Sequence, residues 1–124
     1  MANDKETTIE DLKVKVKEFC DKRDWDQFHD AKELSIALSI EASELLEHFR
    51  WKTKEEVRAK MGKPEKVEEI KDEMADILYF LLRIAQMENI DLSVALKNKI
   101  EKNEIKYPVE KAKGSSKKYN EYEQ

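Results

Sequence analysis

Four acids in this sequence stand where charge is hardest to keep. Glu41 and Glu44 are one helical turn apart, and so are Glu73 and Asp76. At about 100° per residue, Glu41 falls in the middle of the inward stripe Leu34, Ala37, Leu38, Glu41, Glu44, Leu45, His48. Glu73 and Asp76 flank a second apolar face made by Val67, Ile70, Met74, Ile77, Leu78, Leu81, Ile84 and Ala85. Burying an unpaired carboxylate is costly, and gathering four adds like-charge repulsion. Something positive must complete such a group. Salt bridging to lysines is the competing reading, but no Lys or Arg stands three or four residues from Glu41. Carboxylate oxygens suit Mg²⁺, or Mn²⁺ as the alternative, better than zinc. A ferritin-like di-iron centre would want Glu-x-x-His, and Leu45 stands three residues before His48. Magnesium held by carboxylates with open positions is suited to phosphate.

The elements that position these acids read as helices. Thr8 with Asp11 resembles a capping box, and Ile9, Leu12, Val16, Phe19 and Cys20 follow at helical spacing, predicting a helix over about residues 8–22. Residues 24–30 carry two aromatics and three acids without a period and read as an ordered loop, with Asp30 capping a helix from about Ala31 to Trp51. Thr53 to Met61 reads as a short charged helix. Gly62-Lys63-Pro64 is the clearest break, and Pro64 suits the first turn of a helix over about residues 64–88. Asp91 can cap a last helix over about 92–106, which Tyr107-Pro108 stops. Residues 1–108 are expected to form the domain. The Lys-, Ser- and Glu-rich residues 109–124 are expected to be a flexible polar tail.

The composition limits the classes open to the chain. Its 124 residues suffice for one domain, and 42% charged against 40% apolar residues leaves a thin core. Two glycines and two prolines are too few for a turn-rich β fold. A net charge of −4 argues against a protein that coats a nucleic acid polymer. Cys20 is alone, so an intrachain disulfide is excluded and a cysteine zinc site is disfavoured. The polar stretch Met1–Thr8 lacks a signal-peptide pattern, and no apolar run approaches a membrane span. No membrane is expected as a partner, and the expected location is cytoplasmic.

Glu41-Ala-Ser-Glu44, followed after 28 residues by Glu73-Met-Ala-Asp76, resembles the E-x-x-E and E-x-x-D pattern of the MazG-like all-α nucleoside-triphosphate pyrophosphohydrolases. The words Arg23-Asp-Trp-Asp-Gln-Phe-His29, Glu47-His-Phe-Arg-Trp-Lys-Thr53, Lys106-Tyr-Pro108 and Ser115-Ser-Lys-Lys-Tyr119 are similar to its dCTP pyrophosphatase branch. The similarity runs over roughly residues 8–120. It implies an all-α bundle of four to five helices, assembled as a dimer or dimer of dimers. It also implies hydrolysis of a nucleoside triphosphate between its α and β phosphates, a house-cleaning reaction on the nucleotide pool. Glu41, Glu44, Glu73 and Asp76 match the family's metal ligands. Trp25, His29 and Trp51 match positions lining the nucleotide pocket, and Lys99 and Asn103 match polar positions facing substrate.

The resemblance has departures. Ile40 stands where many relatives have a further Glu, and Val16 and Phe80 replace a His and a Tyr in or near the base pocket of the animal dCTP enzymes. His48 falls at a Leu position and reads as a boundary residue. Of Glu44 and Glu47, one is expected to orient or deprotonate the attacking water, and Lys99 to neutralise phosphate oxygens. Tryptophans in small helical proteins are more often core than pocket, yet Trp25 and Trp51 sit at element ends beside acids, outside the apolar stripes. Rival readings are pyrophosphohydrolysis of another nucleotide (dUTP or phosphoribosyl-ATP) and a non-catalytic helical interaction module. The latter accounts for the charge but not for Glu41 in the core stripe.

Overall fold

The computed structural model describes residues 2–122, and all regular structure among them is helical. Met1 and the last two residues of the expected tail, 123 and 124, lie outside the described residues. Six α-helices follow one another: α1 (Ile9–Asp21), α2 (Ala31–Glu47), α3 (Lys54–Met61), α4 (Pro64–Met87), α5 (Leu92–Lys106) and a single turn, α6 (Val109–Ala112). The chain divides between Asn89 and Ile90 into two compact units.

Local chemistry starts most of these helices. Thr8 and Thr53 each close a capping box, with Asp11 and Glu56 respectively. Asp30 accepts from the Glu33 amide at 2.7 Å, and Asp91 accepts from that of Val94 at 2.9 Å. Pro64 opens α4, where its missing N–H costs no helical bond.

The second helix ends earlier than its apolar pattern suggests, at Glu47 rather than near Trp51. Two features stop it. Lys60 Nζ donates to the His48 carbonyl at 2.9 Å, and Trp51 takes up a left-handed backbone with φ of 65°. The chain then turns into α3.

In the first unit α4 is the central element, with α1, α2 and α3 all packed on it. Cys20, Leu34, Ile70, Leu82 and Ala85 are the buried apolar residues, a thin core for this length. Much apolar surface is left exposed: Ile36, Ile40 and Leu46 on α2, and Met74, Leu78 and Leu81 on α4. In the second unit α5 carries exposed Val94, Leu96, Ile100 and Ile105. Within the stretch expected to be a tail, the Tyr119 and Tyr122 rings stand edge-on to Tyr107 at 6.2 and 6.1 Å. Among the described residues no helix is long and apolar enough to cross a membrane.

Candidate metal centre and nucleotide cleft

Packing α2 against α4 brings the two acid pairs together. Glu41, Glu73 and Asp76 each offer one carboxylate oxygen, and these oxygens lie within 4.8 Å of one another. Glu44 is not among these three, but its carboxyl acts on both Glu41 and Glu73. Burial, then contact with the Glu44 and Glu73 carboxyls, pushes the Glu41 carboxyl up to about 7, and Asp76 adds to the effect. Burial and Glu44 also raise the Glu73 carboxyl, while contact with Glu41 and the nearby His48 ring act in the opposite sense.

Glu41 Oε2 is buried with no hydrogen-bond partner. An orphaned carboxylate oxygen inside a cluster of acids is what a cation site looks like without its ion. The donor set is all oxygen, which fits a divalent cation of the magnesium class.

A cleft of about 440 Å³ opens beside this group, lined by Lys15, Val16, Phe19, Trp25, Asp76 and Tyr79. It joins an acid of the cluster to an aromatic platform. Phe19 meets Trp25 edge-on at 5.6 Å and Tyr79 at 6.0 Å, so the three rings form one wall. Tyr79 is anchored from behind by the fully buried Cys20, whose Sγ lies 3.3 Å from the phenol oxygen. Trp25 begins a one-turn 3₁₀ helix, Asp26–Phe28, and keeps 36% of its surface exposed. His29, half-buried, stands behind that ring at 6.0 Å and is not itself a cleft-lining residue.

The other expected site residues fall elsewhere. Glu47 is outside the acid group, and its Oε1 accepts from Arg50 Nη1 at 2.6 Å. Trp51 is 88% exposed, its ring covered only by the Arg50 guanidinium at 4.9 Å, so it is not core. It does not line the cleft of Trp25 and Asp76. Lys99 and Asn103 lie one turn apart on α5, the first exposed and the second half-buried. His48 is half-buried at the C-terminal end of α2, as expected of a boundary residue.

Sequence reasoning missed Arg83, Asp26 and Tyr79. Arg83 interrupts the apolar run from Ile77 to Ala85, the same signal that marked Glu41. It is 1% exposed and donates to His29, Gln86 and Asp26.

Comparison with known proteins shows the family. The model of the MazG-like family matches residues 36–122, a stretch containing the four acids, Trp51, Lys99 and Asn103. The chain is 37% identical over 116 residues to dCTP pyrophosphatase 1 of Homo sapiens, covering 94% of this chain and 68% of that protein. The Rattus norvegicus protein of that name is 35% identical over the same length, with the same coverage. A crystal structure of a pyrophosphatase from Archaeoglobus fulgidus superposes with a TM-score of 0.75 at 38% identity, covering 81% of this chain and 92% of that one. The chain belongs to the MazG-like family.

Proposed function

We propose that this protein is a Mg²⁺-dependent nucleoside-triphosphate pyrophosphohydrolase acting on a deoxynucleotide of the dCTP type. The observation that carries the reading is the cleft whose lining includes both Trp25 and Asp76. A base laid against the indole would extend its phosphates toward the acids. The names of the similar animal enzymes support the choice of nucleotide.

Glu41, Glu73 and Asp76 would hold the cation, with Glu44 completing the ligand set. Magnesium bound there supplies positive charge to the phosphate oxygens and makes a neighbouring water more acidic. The protein's own residues do the rest. Glu44, more exposed than Glu41 or Glu73, orients the water and accepts its proton. Trp25 and Phe19 exclude solvent from one face of the base, and Lys15 brings a cation to the cleft wall. Lys99 and Asn103 contribute substrate contacts in the active assembly, and Trp51 stacks on the nucleotide from its exposed turn.

The active form is a homodimer or homotetramer. The apolar side chains left exposed on α2 and α4 favour this, because a 42% charged chain rarely leaves such faces in water. Residues 1–108 act as the catalytic domain, and the setting is cytoplasmic. Pyrophosphate release should be measured across the canonical and modified deoxynucleoside triphosphates, in Mg²⁺, in Mn²⁺ and in chelator. Release from a cytosine deoxynucleotide in Mg²⁺, abolished by chelator, is the expected result. No release from any nucleotide would overturn the proposal in favour of a non-catalytic module.

A further inference from the structure

The most deeply buried charge of the first unit lies outside the acid cluster. Arg83 is on α4, two turns beyond Asp76, so the two residues share a helix face about 10 Å apart along the axis. Its Nε donates to His29 Nδ1 at 3.0 Å, its Nη1 to Gln86 Oε1 at 2.5 Å, and its Nη2 to Asp26 Oδ1. A guanidinium stays charged and offers only donors, so burying it demands acceptors. Two of these three acceptors come from one short segment, and that segment carries Trp25.

Locally the segment is tied to the end of α1: the Trp25 N–H donates to the Cys20 carbonyl at 3.1 Å and its ring meets Phe19, while Gln27 donates back to Asp24. Asp24 enters it with a left-handed backbone, φ 55°, and Phe28 in its turn is 65% exposed. Asp26 opens the 3₁₀ turn and His29 follows its last residue, so Arg83 grips it at both ends. The grip also decides a proton. A ring nitrogen that accepts from Arg83 Nε–H carries no hydrogen, which leaves the imidazole proton on Nε2.

We propose that Arg83 is a positioning residue: it ties the Asp26–His29 turn to α4, fixes His29 as the Nε2–H tautomer, and so holds Trp25 at a set distance from Asp76. Its catalytic consequence rests on the proposed nucleotide cleft, but the tie itself does not. Burial, and after it the guanidinium charge, also lower the His29 pKa, while Asp26 acts to raise it. Lys17 on α1, paired with Asp21, also acts on Asp26, more weakly than Arg83. A neutral His29 keeps the accepting nitrogen available to the arginine.

The test is ¹⁵N NMR of the histidine rings in the free wild-type enzyme, with His48→Gln assigning the two histidines. The expected spectrum has His29 Nδ1 pyridine-like and Nε2 protonated; a proton on Nδ1 overturns the proposal. Arg83→Lys, which keeps charge but loses the fork, should abolish that fixed pattern and speed amide exchange of residues 25–29 at least about tenfold. It should raise KM for the nucleotide by roughly 5- to 50-fold while changing kcat by less than about threefold. Asp26→Ala takes away one of the three acceptors, from a side chain that is 63% exposed, and serves if Arg83→Lys does not fold; faster exchange and a KM raised about threefold are expected. A folded variant with unchanged exchange overturns the tie. Should the enzyme hydrolyse nothing, the tautomer and exchange measurements still decide the tie, and only the nucleotide reading fails.

Discussion

Replacing Glu41 by glutamine keeps the side chain's volume and removes the most perturbed charge of the acid cluster. A carboxyl moved from 4.5 to about 7 is disfavoured once ionised. At about 1.4 kcal/mol per tenfold change in proton affinity, that is about 3 kcal/mol at the limit. The carboxyl is half-buried, so solvent screening brings the figure to about 1–2 kcal/mol. The sign follows from the raised pKa. The folded state binds the proton more tightly than the unfolded chain, so its stabilising effect is complete below pH 4.5. It is lost as pH rises through about 7. In chelator, wild type and Glu41→Gln should therefore melt together near pH 4.5. By pH 8 the variant should melt roughly 3–10 °C higher, given the size of the chain. Adding Mg²⁺ should raise the wild-type melting temperature and leave the variant nearly unmoved. Calorimetric melts from pH 4.5 to 8.5, with and without Mg²⁺, provide the readout. Parallel pH curves for the two proteins would refute the argument that burial, with its acidic neighbours, makes Glu41 the most disfavoured charge of the cluster.

Trp51→Ala should raise KM for the nucleotide by roughly 5- to 100-fold with a smaller change in kcat, because stacking acts on ground and transition states alike. Its melting temperature should move by less than about 3 °C, since the ring is 88% exposed; a large drop would mean a structural role instead. Trp51→Gly should melt slightly higher than Trp51→Ala, by about 1 kcal/mol of relieved left-handed strain, which the same melts can read. Light scattering at micromolar concentration should give a multiple of the 14.7 kDa chain mass, and a monomer would contradict the proposed assembly.

The parts of this protein legible in its sequence are those set by neighbours in the chain. Thr8, Asp30, Thr53 and Asp91 announce helix starts because a cap reaches only three residues ahead. Glu41 is legible because a helical period puts it among leucines, and repulsion then demands a cation. The end of α2 was not legible, because it depends on Lys60 reaching back to the His48 carbonyl. Arg83 broke an apolar run just as Glu41 did, but its partners Asp26 and His29 lie more than fifty residues earlier in the chain. Glu47 looked eligible from spacing alone; its rotation toward solvent, where Arg50 takes it up, decides its place outside the cluster. The division after Asn89 was not legible, since only the four residues 88–91 separate α4 from α5 and they lack a linker's composition.

In the proposed function the Glu41, Glu44, Glu73 and Asp76 cluster drives cleavage between the α and β phosphates. ³¹P NMR of a deoxycytidine triphosphate reaction, run with wild type and with Asp76→Asn in Mg²⁺, tests it most directly. Wild type should give monophosphate and pyrophosphate in equal amounts, and a folded Asp76→Asn a rate at least about a hundredfold lower. Near-normal turnover by that variant, or release of single phosphate with a diphosphate product, would contradict it.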